Sequence, residues 1–89
     1  MTMMNAKGFR ALVLKHERLD EALALLALAE GRLWYVTGPD GEESLEVATT
    51  VSLALERAVQ DPYTGAYAEV EAKRGSYTAT RVRGIVAGD

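Results

Sequence analysis

The chain has no cysteine, one histidine, one tryptophan, one phenylalanine and two prolines among its 89 residues. Without cysteine there can be no disulfide and no thiolate metal site. With His16 as the only imidazole, a histidine-built zinc site is also excluded in practice. A domain this short buries only about 60–65% of the surface its unfolded chain exposes. Of the supports that small domains use, which are disulfides, metals and association, only association remains open. The missing cysteine does not itself point to a compartment.

Long apolar runs are missing too. The longest, Ala22–Ala29, is closed by Glu21 and Glu30, far short of the roughly 20 residues that span a bilayer. Met1–Gly8 lacks the apolar stretch of a secretory signal. The expectation is a protein with no membrane partner, in the cytoplasm or, if phage-encoded, in a virion.

Catalytic patterns are equally sparse. No G-x-G-x-x-G follows a strand and no P-loop lysine is present. His16 has no serine or cysteine neighbour that would mark a triad. Glu42 and Glu43 are adjacent, so on a strand they point to opposite faces and make a poor acid–base pair. No enzyme, no metal and no cofactor is expected; an enzyme sharing half a site between subunits would have only His16 and the carboxylates to use.

What charge there is falls unevenly. The net charge is −3, but residues 1–18 carry +3, residues 19–61 carry −7 and residues 62–89 carry +1. A basic–acidic–basic order suits head-to-tail contacts between copies, while overall acidity argues against duplex nucleic acid.

Periodicity predicts a helix over Phe9–Glu30, with Phe9, Leu12, His16, Leu19, Leu23 and Leu26 on one stripe. Leu14, Leu25 and Leu28 fall off that stripe, so the helix is apolar nearly all round, as if covered on all sides. A short strand at Phe9–Lys15 before a helix from about Glu17 is the alternative. Gly31 suits the C′ position of a helix end. Leu33–Thr37 and Glu42–Val47 read as strands around the turn Gly38-Pro39-Asp40-Gly41. Thr49, Thr50 and Ser52 offer N-caps for a second helix with Val51, Leu55, Ala58 and Val59 on one face, stopped at Asp61-Pro62. Tyr67–Ala72 and Tyr77–Val82 read as a second hairpin around Lys73-Arg74-Gly75-Ser76.

The expected fold is therefore one α+β domain over residues 1–89. Its order is α-β-β-α-β-β, with two antiparallel hairpins packed with two helices, and its ends, 1–8 and 84–89, are mobile. Candidate interaction residues are Trp34 and Tyr35, which face opposite ways on one strand, Leu25 and Leu28 on the over-apolar helix, and Tyr67 and Tyr77 on the second hairpin. The tyrosines stand near Lys73, Arg74, Arg81 and Arg83, which could stack single-stranded nucleic acid, but Glu69 and Glu71 offset them and cross-strand packing is the expected use.

Gly31 and Arg32 opening the first hairpin, Asp40 and Gly41 in its turn, and Ala48, Thr49, Val51 and Ser52 entering the second helix resemble the phage lambda W protein family. The resemblance covers about residues 17–60 and departs after Pro62, where this chain adds a hairpin. It implies a helix–hairpin–helix core and a ring-forming head-completion or head–tail connector protein without catalytic residues. The expected function is a non-enzymatic structural or interaction protein that acts with protein partners as a homo-oligomer. The alternative is a small acidic inhibitor or regulator, anti-nuclease or antitoxin-like, whose acidic middle meets a basic partner.

Overall fold

A computed structural model of the chain describes residues 2–15, 19–39, 41–59 and 75–87. These form strand β1 (Thr2–Asn5), helices α1 (Ala6–Lys15) and α2 (Glu21–Ala29), strands β2 (Leu33–Thr37) and β3 (Glu43–Val47), helix α3 (Val51–Val59) and strand β4 (Thr78–Val86). The α+β class holds, but the order among the described residues is β-α-α-β-β-α-β. A four-stranded mixed sheet runs β1-β4-β2-β3. Strand β4 pairs parallel with β1 and antiparallel with β2, and β2 pairs antiparallel with β3.

The first hairpin forms as its sequence implies. Leu33 faces Val47 and Thr37 faces Glu43. The Gly38 amide donates to the Glu42 carbonyl at 2.9 Å, and Gly41 takes φ 81°, a value that costs a glycine little. Thr50 proves to be the cap of α3, its Oγ1 accepting from the Leu53 amide at 3.2 Å.

Three expectations are corrected. The single helix over Phe9–Glu30 is two helices, because Asp20 is extended at φ −97°, ψ 166° and no helix runs through that geometry. The expected mobile ends contain paired strand: Thr2–Asn5 lies beside Val82–Val86. Only Thr2 of these four residues favours strands, which is little sign of one, and the ladder to β4 supplies what propensity does not. The strand expected at Tyr77–Val82 starts at Thr78, extends to Val86, and joins the first hairpin through β2 in one sheet. Its expected hairpin partner, Tyr67–Ala72, lies outside the described residues.

The sheet carries helices on both faces. On one, α1 and α2 bury Phe9, Leu12, Val13, Ala24 and Ala27 against Leu33, Leu45 and Val82. On the other, Ala54 of α3 joins Trp34, Val36 and Ala48, with Leu53, Leu55 and Ala58 packed around them. The β1–β4 register slips between Thr2, opposite Val82, and Met3, opposite Gly84, so Arg83 is an extra residue. Residues three apart on a regular strand face opposite ways; the bulge lets Ile85 pack on the same cluster as Val82.

Leu33 has no exposed surface. Leu33→Ala is expected to lower the unfolding free energy by about 2–5 kcal/mol, measured by urea denaturation followed through Trp34 fluorescence.

Candidate interaction surface

Helix α2 is held at both ends by its own residues. The Asp20 carboxylate accepts from the Leu23 amide at 2.7 Å, which satisfies one of the helix's orphan donors. At the other end Gly31 turns the chain at φ 72°. The Gly31 amide donates to the Leu28 carbonyl at 3.1 Å and the Arg32 amide to the Ala27 carbonyl at 2.8 Å, the paired bonds of a Schellman motif.

These ends set the rotation of the helix, and the rotation is inverted relative to ordinary amphipathicity. The alanines Ala24 and Ala27 are 0% and 2% exposed against the sheet. The leucines point away: Leu23 is 44% exposed, Leu25 45% and Leu26 55%. Ala22 and Ala29 share this outer side. On α1, Leu14 is 87% exposed. The outer side of α2 holds no charge between Glu21 and Glu30. At its ends Glu21 lies 3.8 Å from Arg10 Nε, and Glu30 contacts Arg32. All four side chains are at least 41% exposed, so these ion pairs add little stability.

The stripe drawn through the sequence splits at the break. Phe9, Leu12 and Leu19 are buried, but Leu23 and Leu26 are on the outside, because α2 restarts its helical phase at Asp20. Leu25 is exposed as a surface residue would be; Leu28 is half-buried against the α1–α2 side of the core. Trp34 is 7% exposed, donates from Nε1 to the Ala48 carbonyl at 2.8 Å and lies 5.1 Å beneath the Arg81 guanidinium. It is a core residue, closed to a partner. Tyr35 is half-buried on the opposite face, and Tyr77 packs beside the Trp34 cluster. His16 and Tyr67 lie outside the described residues. The outward leucines Leu23 and Leu26 were missed as surface residues; the signal that could have found them is Asp20 three residues before an amide it can cap.

Among the described residues an open cleft of ≈ 300 Å³ lies between β1, α1 and the hairpin, lined by Met3, Met4, Gly8, Ala11, Leu12, Tyr35 and Glu43. Its polar groups satisfy each other, since the Tyr35 hydroxyl donates to Glu43 Oε1. That bond, then burial, then the Glu43 charge, pushes the Tyr35 phenol up to about 12. Among the described residues no three His, Cys, Asp or Glu side chains gather to hold a metal ion, and no helix is long and apolar enough to cross a membrane. Comparison with protein-family models, curated proteins and solved structures finds no match.

Two measurements check this geometry. Asp20→Ala is expected to cost about 1 kcal/mol of stability through loss of the cap, read as a lower urea midpoint with unchanged m. The folded phenol of Tyr35 holds its proton above the ordinary tyrosine range, so the unfolded chain loses that proton first as pH rises. The Tyr35 contribution to stability is full below pH 10 and is lost from there to about 12. Tyr35→Phe is expected to remove that part of the decline, and tyrosinate absorbance of the native protein to show one of its four tyrosines titrating near 12.

Proposed function

We propose that this chain is a non-enzymatic structural or interaction protein that works by associating with further copies of itself. Its most concrete form is a phage head–tail connector or head-completion protein, carried in the virion. The observation that carries this reading is the inverted α2, which packs its alanines inward and presents Leu23, Leu25 and Leu26 to solvent. Monomeric proteins seldom leave a contiguous apolar patch without a use for it. The order α2-β2-β3-α3, residues 21–59, is the helix–hairpin–helix order of the lambda W protein family, over the span where the sequence resembles it. Strands β1 and β4 extend that unit into a wider sheet.

The competing reading, an acidic regulator of a basic partner, draws on Glu42 and Glu43, both exposed at the hairpin. Light scattering coupled to size exclusion separates the two. Mass is expected to rise above the 9.6 kDa monomer with protein concentration and to fall back for Leu25→Glu/Leu26→Glu, whose thermal midpoint stays near that of the parent. A mass fixed at the monomer from micromolar to near-millimolar concentration, with no assembly on a portal-like protein, would overturn the connector reading. Salt-sensitive capture of a basic enzyme would then favour the regulator.

A further inference from the structure

We propose that two copies of the chain pair through α2, antiparallel, about a two-fold axis passing between Leu25 and Leu26. This rests on the reading of the chain as a self-associating protein and names the geometry of one contact; a two-fold contact closes at two copies, so the ring of a connector would need a second, head-to-tail surface.

The first observation is in the order of residues. From Glu21 to Glu30 the chain reads E-A-L-A-L-L-A-L-A-E, the same in both directions. When two such helices run antiparallel with their centres aligned, Ala22 lies opposite Ala29 of the second copy and Leu25 opposite Leu26. A two-fold contact uses the same patch on both copies, and a palindromic helix supplies that self-complementarity from its own sequence.

The second observation is which residues of the palindrome face out. Ala22, Leu26 and Ala29 are spaced by four and three, which puts them on one ridge, and all three are exposed. Leu25 and Leu23 flank the ridge, 45% and 44% exposed. Small residues at both ends of the ridge let two helices approach there, while the leucines fill the centre. The fully buried alanines, Ala24 and Ala27, are already used against the sheet.

The third is charge. Each end of α2 carries an acid–base pair, Arg10 with Glu21 at the start and Glu30 with Arg32 at the finish, and the exposed Asp20 cap adds a second acid at the start. Antiparallel pairing brings Arg10, Asp20 and Glu21 of one copy beside Glu30 and Arg32 of the other, three acids and two bases at each end of the seam, with the Asp20 carboxylate already bonded to the Leu23 amide. It also sets the N-terminal end of each helix dipole beside the C-terminal end of its neighbour, the favourable arrangement. A parallel pairing would instead set Glu21 beside Glu21 and align the dipoles. Size sets the strength. One nine-residue helix offers well under the roughly 800 Å² per partner of a standard interface, so the seam belongs to the weak, concentration-dependent class.

The lack of native cysteine makes the geometry testable by crosslinking, because any introduced thiol is the only one. In the antiparallel seam Ala22 and Ala22 of the two copies are separated by about 10 Å along the axis, from seven residues of rise. A disulfide cannot bridge Cα atoms more than about 7 Å apart. The full-length Ala22→Cys and Ala29→Cys variants, mixed under mild oxidation, are therefore expected to give a mixed dimer about tenfold faster than either variant gives its own. Leu26→Glu in both backgrounds is expected to abolish the difference while the circular dichroism spectrum is unchanged. Equal crosslinking of Ala22→Cys with itself, or crosslinking no faster than in urea, overturns the seam. If the parent chain still exceeds monomer mass in that case, self-association stands and uses another surface; if it is monomeric, both readings fall.

Discussion

Strand β2 has to be covered on both faces, and the layout of the molecule follows from that. Leu33, Trp34 and Val36 are at most 7% exposed, although Leu33 and Trp34 are neighbours and point to opposite sides of the sheet. Neither face can meet water, so a layer of helix is needed on each. Helix α3 covers the Trp34–Val36 face through Ala54, with Leu53, Leu55 and Ala58 packed around it. Helices α1 and α2 cover the Leu33 face. The edge of β2 away from β3 is taken by β4, which brings β1 in beyond it. The indole nitrogen of Trp34, inside the α3-side layer, is satisfied by the Ala48 carbonyl, as a buried donor requires.

The two helices on the Leu33 face divide the work by size. Helix α1 supplies bulk in Phe9, Leu12 and Val13, and α2 supplies the buried Ala24 and Ala27 with Leu28 half-buried beside them. Alanine brings the backbone of α2 close to the sheet, but it leaves the leucines on the far side. Burying a leucine fully is worth about 1.5–3 kcal/mol. Three leucines left about half exposed therefore forgo a few kcal/mol, a large share of the 5–15 kcal/mol by which domains are stable. The phase that produces this is fixed locally, by the Asp20 cap and the Gly31 turn. The cap and the turn thus hold α2 in an orientation that leaves Leu23, Leu25 and Leu26 about half exposed.

Where local chemistry decides, the sequence was legible. The Gly38–Gly41 turn, the β2–β3 pairing, the Thr50 cap and the Gly31 helix end all depend on residues within a few positions of each other, and all appear where their residue types imply. The long helix failed because periodicity of three and four continues through Leu19 while the backbone does not. Asp20 is a favoured cap residue set within a strong apolar pattern, and only the capped Leu23 amide shows which prevails. Strand β1 was illegible for a different reason, since its ladder is made with residues some eighty positions away. The outward leucines follow from the break at Asp20: with one continuous helix Leu23 and Leu26 would have been core. Trp34 shows the same limit in reverse, as an aromatic whose burial depends on α3 and not on its own strand.

The sheet offers a second route to assembly, and its chemistry contrasts with that of α2. The Gly38 amide bonds to the Glu42 carbonyl and the Ala48 amide to the Arg32 carbonyl. Even-numbered residues of β3 therefore face β2, and the backbone groups of Glu43, Leu45 and Val47 point to the outer edge. Among the described residues β3 is an end strand of the sheet. It is only five residues long and carries Glu43 and Glu46, with Glu42 just before it. A short edge with like charges resists pairing with an identical edge. Two copies meeting there would set carboxylates against carboxylates. On α2 the acids are confined to the ends, where Glu21 and Glu30 each meet an arginine and Asp20 caps the Leu23 amide, while the middle is bare leucine and alanine. The acidic segment that guards the sheet edge leaves the middle of the helix face uncharged, so under the proposed self-association the helix, and not the sheet edge, is the face that contact would use.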